Sequence, residues 1–333
     1  MERALTERTG VSALPGSSPP KVSVVIPTLN AGPGFRDLLD KLSTQETSFG
    51  YEVLVVDSGS TDGTAELARR RGAVVHTIPR AEFGHGATRN LGVSLSRGEY
   101  VVFIVQDAVP LDGQWLAAMV ENLERDDLVA GVYGRQSPRP ESALLTRVLV
   151  NGWPTAGLER REQCVEAPAL YRALTPAERR SLATFDNVSS CVRRSVWESI
   201  PFEPTGFGED VRWGKRVVET GYKLVYEPRS AVLHSHERGA LYDLRRHYVE
   251  GQLLLELFGL APTPNLALWL LNVLRSTMHL YLRLRRDAKA TGGELRLALL
   301  AAKHAVCSQT GFYLALKKRR LPARLDLSLR RGV

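Results

Sequence analysis

Cysteine is scarce in this chain of 333 residues, which has only Cys164, Cys191 and Cys307. They are widely separated and form no C-x-x-C pair. A disulfide framework is therefore excluded, and a reducing compartment is expected. Long apolar runs are also missing. The richest segment, Asn265–Arg286, is broken by Arg275, His279 and Arg283 and is too short to span a bilayer. The opening stretch, MERALTERTGVSALPGSSPP, lacks a basic region followed by an apolar one, so it reads as a disordered lead-in over residues 1–20 rather than a secretory signal. No recognised nucleic-acid motif accompanies the basic clusters, and nucleic acid is not expected as a partner.

What is present is ordinary material for a folded protein: 44% hydrophobic and 24% charged residues. The formal charge of +8 is unevenly spread. Residues 238–333 hold 17 Lys/Arg against 6 Asp/Glu, an excess of +11, which leaves about −3 for the rest.

Lys21–Pro27 (KVSVVIP) and Glu52–Asp57 (EVLVVD) are short β-branched runs followed by turn formers, and Phe35, Leu38, Leu39 and Leu42 recur between them at helical spacing. A helix over 64–71, a strand over 73–78, a helix over 87–95 and a strand over 100–105 continue the alternation. The pattern predicts an α/β fold with a mostly parallel sheet flanked by helices. Ligands of such sheets bind beyond the carboxyl ends of the strands, and polar residues gather there: Thr28 and Asn30, Asp57–Gly63, Gly84–Asn90, then Gln106 and Asp107. Prolines mark loops from Val129 to Ser190, with a helix over 176–182 capped by Thr175. A helix over 211–220 follows, then short extended pieces over 223–226 and 231–233. Beyond Gly239 only helices are expected.

Asp107 emerges at a strand's end, where a lone Asp is ordinarily a turn former or cap. It would also suit a hard divalent cation that neutralises a nucleoside diphosphate. Asp57 could act as a base or accept a ribose hydroxyl. Glu209 and Asp210 open a helix, where the dipole alone would favour them, yet a general base is needed wherever a hydroxyl attacks. His234 and His236 would face one side of an extended segment.

VSVVIPTLNAG, VVDSGSTDGT, ATRNLG, QDA with Trp115-Leu116 downstream, GFGEDVRW and VLHSH occur in an order that resembles the inverting family 2 glycosyltransferases of the GT-A fold over residues 22–236. FGHGATRN and QDA resemble the bacterial rhamnosyltransferases of surface-polysaccharide synthesis. The resemblance implies a GT-A domain over 21–238 and a basic helical region over 239–333. It implies a nucleotide-sugar donor, such as dTDP-rhamnose, and a saccharide or polyprenyl-linked acceptor. Pro27, Thr28, Asn30 and Asp57 would line the nucleoside pocket and Arg89 would approach the pyrophosphate. Asp107, with His234 near it, would hold Mg or Mn, and Asp210 beside Glu209 would be the base. Val105 stands where the family's first metal-side Asp would be, and Gln106 could take over a ribose contact. His85 is a candidate sugar or phosphate contact; Trp213 is a candidate acceptor platform, with core packing the commoner role.

Two other readings stay open: a sugar nucleotidyltransferase, for which PTLNAGPGF lacks basic residues, and a nucleotide-sugar-binding module with a degenerate metal site. The basic C-terminal helices suit peripheral contact with the inner face of the cell membrane in an otherwise cytoplasmic protein. A homo-oligomer contact with a solvated basic rim suits them equally.

Overall fold

The run Val22–Thr28 is buried along almost its whole length, as a strand covered by helices on both faces requires. In the computed structural model, which describes residues 19–287, 293–318 and 321–330, it is the interior strand β1. The expected lead-in lies outside the described residues as far as Ser18. The chain continues through α1 (Phe35–Ser43), β2 (Tyr51–Asp57), α2 (Thr64–Arg70), β3 (Val74–Thr77), α3 (His85–Leu95) and β4 (Tyr100–Ile104). Next come β5 (Val109–Pro110), α4 (Trp115–Arg125), β6 (Val129–Ser137), α5 (Leu144–Val150), β7 (Arg161–Gln163), α6 (Pro168–Tyr171) and α7 (Pro176–Leu182). Then β8 (Ser189–Arg193), α8 (Arg194–Ser199), α9 (Glu209–Glu219) and β9 (Lys223–Leu233) complete the sheet region.

The sheet runs β3-β2-β1-β4-β8-β6-β9-β5, with β7 on β9. Its first four strands are parallel, as the alternation predicts. Beyond β4 the pairs β4–β8, β6–β8, β5–β9 and β7–β9 are antiparallel, so the whole sheet is mixed. Phe35, Leu38, Leu39 and Leu42 bury one face of α1 and join Val24, Val55, Val102 and Trp115 in the core beneath it. The pieces expected over 223–226 and 231–233 form one strand. The first half of β9 pairs with β7 and the second half with β5, so Pro228, which cannot donate, falls between the two ladders. At α7 the expected cap is a reciprocal box: the Thr175 N–H donates to Glu178 Oε2 at 2.8 Å and the Glu178 N–H to Thr175 Oγ1 at 3.3 Å.

Contacts divide the chain into two compact units, one of residues 1–136, 155–170 and 182–234 and one of residues 137–154, 171–181 and 235–333. Two stretches of the proline-marked middle thus belong with the C-terminal helices. That unit contains α10 (Ala240–Phe258), α11 (Leu266–Asp287), α12 (Glu294–Leu316) and α13 (Ala323–Arg330). Val148 of α5, Leu280 and Leu284 of α11, and Leu297 and Ala301 of α12 make one of its cores. Among the described residues no helix is long and apolar enough to cross a membrane.

Gly311 lets α12 approach α10 closely: a Cβ there would lie 2.4 Å from the Leu244 carbonyl oxygen and 2.9 Å from the His247 Cβ. Alanine is the better helix former by about 1 kcal/mol, but a backbone oxygen cannot rotate away. Gly311→Ala is therefore expected to lower the melting temperature, with overpacking costing about 1–3 kcal/mol. Thermal denaturation followed by circular dichroism checks this, and a raised midpoint would contradict it.

Candidate active site

The parallel register places Thr28 beside Asp57 at the carboxyl ends of β1 and β2. The Asp57 carboxylate is buried and accepts four bonds. Thr28 Oγ1 and Ser60 Oγ donate to Oδ1 at 2.9 and 2.6 Å, and the Gly59 and Ser60 N–H groups donate to Oδ2 at 3.2 and 2.9 Å. Asp57 thus shapes the turn that begins the second polar loop. Asn30, at a positive φ of 45° that Asn tolerates, ties the two loops together. Its Oδ1 accepts the Thr61 N–H at 2.9 Å, and its own N–H donates to Ser60 Oγ at 2.8 Å. Pro27 lies within β1 opposite Val56.

Gln106 is bonded to the protein's own backbone. Its Oε1 accepts the Leu29 N–H at 2.8 Å and its Nε2 donates to the Leu29 carbonyl at 3.2 Å. A side-chain amide can copy a backbone strand contact because it carries the same donor and acceptor. Val105 packs against the core, and its carbonyl accepts the Ala108 N–H at 3.1 Å. That turn leaves Asp107 at its apex, about one-third exposed at 35%.

β5 sits opposite the end of β9, with Val109 paired to Leu233. Asp107 lies two residues before Val109 and His234 one residue after Leu233, so both leave the same end of this strand pair. His234 is buried, and its Nε2 lies 3.9 Å from Asp107 Oδ1. His234 Nδ1 is 2.9 Å from Gln136 Oε1, while Gln136 Nε2 is 2.6 Å from Asp186 Oδ2. An ionised carboxylate only accepts, so the Gln136 NH₂ must face Asp186 and its oxygen must face His234. Nδ1 therefore carries a proton, and in the neutral ring the Nε2 lone pair faces the Asp107 carboxylate. Two acceptors so opposed suit a shared proton or a cation between them. Oxygen plus imidazole nitrogen is a donor set for a divalent ion, and the fit makes Asp107 and His234 a possible metal site. His236 is exposed, two residues further along the chain.

Glu209 and Asp210 open α9 but differ in role. Glu209 is buried and takes 2.7 Å and 3.3 Å bonds from Arg89 Nη1 and Asn187 Nδ2. Arg89 also donates to the His85 and Asn187 carbonyls. The two charged side chains are only 5% and 7% exposed. Arg89 is thus Glu209's counter-ion within the buried site. The Asp210 carboxyl is pushed up to about 7, by burial first and then by the neighbouring Glu209 and Asp186 charges. His85 stacks edge-on against Phe83, and Trp213 is buried between Phe185 and Phe202 with its Nε1 donating to the Ile200 carbonyl. Core packing is its role.

The family model described as Glycosyl transferase family 2 matches residues 23–191, half of the chain. The chain belongs to the family 2 glycosyltransferases. This transferase is 28% identical over 237 residues to the O-antigen chain rhamnosyltransferase RfbN of Salmonella typhimurium, covering 69% of this chain and 71% of that one. It is 29% identical over 272 residues to the glycosyltransferase AglE of Haloferax volcanii, covering 77% and 81%. In fold it is similar to the mannosyltransferase PcManGT from Pyrobaculum calidifontis in complex with GDP-Man and Mn²⁺, with a TM-score of 0.55 at 22% identity over 91% of this chain and 87% of that one. The family excludes the nucleotidyltransferase reading, and the sheet and C-terminal helices are those of a GT-A-like enzyme.

Sequence reading of this glycosyltransferase did not single out Gln136, Asp186 or Asn187. Gln136 lies on a strand and the other two in the loop before β8, and their partners are 22 to 98 residues away in sequence. Only the strand order brings them together. Removing one partner of a buried ion pair typically costs about 3–5 kcal/mol, because the other charge is stranded. Arg89→Met is expected to lose stability on that scale in urea unfolding, and Arg89→Met with Glu209→Gln to recover part of it. An additive double variant would show that the pair is not coupled.

Proposed function

We propose that this enzyme is an inverting glycosyltransferase that moves a sugar, rhamnose from dTDP-rhamnose, onto a saccharide or lipid-linked acceptor of surface-polysaccharide synthesis. The observation that carries it is the division of labour between adjacent carboxylates. Glu209 is locked to Arg89 and Asn187, whereas Asp210 is half-buried with a raised proton affinity. A group that binds protons near neutral pH is suited to receive one from an attacking hydroxyl. As the acceptor oxygen bonds to the anomeric carbon, its proton passes to Asp210 and the bond to the diphosphate breaks on the opposite face, inverting the configuration. Asp107 and His234 would hold Mg or Mn, which supplies positive charge against the leaving diphosphate. The loops braced by Asp57, Thr28 and Asn30, after Pro27, are where the nucleoside would lie. The rhamnose assignment leans on the relative named an O-antigen chain rhamnosyltransferase.

Asp210→Asn is expected to abolish transfer while leaving nucleotide binding nearly unchanged, as read by calorimetry with dTDP. Its proton affinity in the folded state is above the ordinary carboxylate range, so ionisation burdens the folded protein. The stability it contributes is present below about pH 4 and is lost as pH rises through about 7. The Asn variant should therefore melt higher than wild type above neutral pH. In the wild type, kcat/KM should rise with an ascending limb near pH 7. A flat profile between about pH 5 and 9, or a fully active Asn variant, would remove Asp210 as the base.

The second proposed element is peripheral contact with an anionic membrane. Leu270, Leu274, Met278 and Leu282 recur every fourth residue along α11 and are exposed, by 54%, 61%, 58% and 53%. Exposed Arg275, His279, Arg285 and Arg286 border them. An apolar stripe edged by cations suits a lipid surface, and a like-charged second copy less so. Wild-type protein is expected to float with phosphatidylglycerol vesicles and much less with phosphatidylcholine alone. Leu274→Gln with Met278→Gln should remain in the soluble fraction. Equal flotation with both vesicle types would argue against the electrostatic half of the reading.

A further inference from the structure

The proposed chemistry uses Asp107, His234 and Asp210 but leaves unexplained a buried polar side chain between them in the bonding network. Gln136 is 3% exposed. Its amide nitrogen donates to Asp186 Oδ2 at 2.6 Å and to Thr155 Oγ1 at 3.4 Å, and its oxygen receives His234 Nδ1 at 2.9 Å. Both N–H donors and one of the oxygen's two lone pairs are thus assigned. Asp186 is itself held, since its Oδ1 accepts the Val188 N–H at 2.9 Å at the entry to β8. A buried amide with this much engagement has one orientation, because flipping it would set its oxygen against the Asp186 carboxylate.

We propose that Gln136 is a positioning residue for the transferase's metal pair: anchored by Asp186, it holds His234 in the Nδ1–H tautomer and aims the Nε2 lone pair at Asp107. The physical reason is that imidazole offers a metal only its unprotonated nitrogen, and the partner of the other nitrogen decides which one that is. A ligand on a strand end that has one carboxylate, with Val105 where another could stand, gains most from such fixing. The fixed ring and the fixed carboxylate then present a preformed pair, and little ordering is left to be done when a cation arrives. Asp186 also lies close enough to Asp210 to raise its proton affinity. The same carboxylate therefore borders both halves of the proposed site.

The inference rests on reading Asp107 and His234 as metal ligands, and its test separates the two ideas. Full-length protein labelled with nitrogen-15 histidine reports the tautomer of His234 directly, with the signal assigned by its loss in His234→Gln. Electron paramagnetic resonance titration with Mn²⁺ alone reports affinity. The wild type is expected to carry the ring proton on Nδ1. In Gln136→Met, similar in size but unable to hydrogen-bond, the tautomers should mix, and Mn²⁺ should bind about 10–100-fold more weakly. If that variant fails to fold, Asp186→Asn serves: it keeps the shape, frees the Gln136 amide to flip and should shift the tautomer the same way. A wild-type His234 protonated on Nε2 would overturn the proposal, as would a Gln136→Met protein with unchanged tautomer and affinity. A wild type that binds no Mn²⁺, yet shows the tautomer shift on substitution, would support the positioning role and sink the metal reading alone.

Discussion

The ion pair between Arg89 and Glu209 is the constraint on which the proposed catalytic side of this protein depends. It is made where α3, the loop before β8 and the start of α9 converge, and neither charge is exposed enough for water to replace its partner. Coulombic attraction is strong in such a setting, but so is the cost of losing either member. The pair therefore fixes where α9 begins, and with it the position of Asp210. It also leaves Asp210 as the carboxylate whose proton affinity the surroundings raise. Gly86, one turn before Arg89, has no room for a side chain, because a Cβ there would lie 2.1 Å from the Glu203 carbonyl oxygen. The close approach of α3 to the chain before α9 is thus built into both packing and charge.

The parallel half of the fold was legible because its strands announce themselves. β1, β2 and β4 are mostly apolar, β-branched runs bounded by turn formers, and the helix between the first two carries Phe35, Leu38, Leu39 and Leu42 on one stripe. Of the antiparallel half, only the two ends of β9 were legible. β8 reads SSCVR and is wholly buried, but its serines satisfy themselves inside the protein, with Ser189 Oγ receiving the Trp115 Nε1–H and Ser190 Oγ donating to Asn187. Buried hydroxyls with partners look like a loop in sequence, since the pattern shows the polarity and hides the partner.

The site was legible in the same uneven way. Asp107 could be placed because a strand's end is a topological address, and Glu209 with Asp210 because they open a helix. What those neighbours do was hidden. Gln106 and Arg89 are polar residues in the expected region, yet one is bonded to backbone and the other to a carboxylate 120 residues away. Residue type and spacing cannot distinguish a side chain that waits for a ligand from one already occupied by its own protein. The second unit illustrates the opposite case: its basic charge and helical character were plain from composition, whereas Gly311 as a point of helix contact needed the coordinates.

The two bonds from Gln106 to Leu29 act as a short strut between the strand end that carries Asp107 and the loop that follows β1. Mechanically, the two segments travel together. A shift of the loop after β1 is therefore passed to the turn bearing Asp107, and a shift of that turn to the loop. Free-energy coupling of this kind is reciprocal. The valine that stands where the family's first acid would be thus removes one charge from the candidate site, and the glutamine beside it ties the turn bearing Asp107 to the loop after β1.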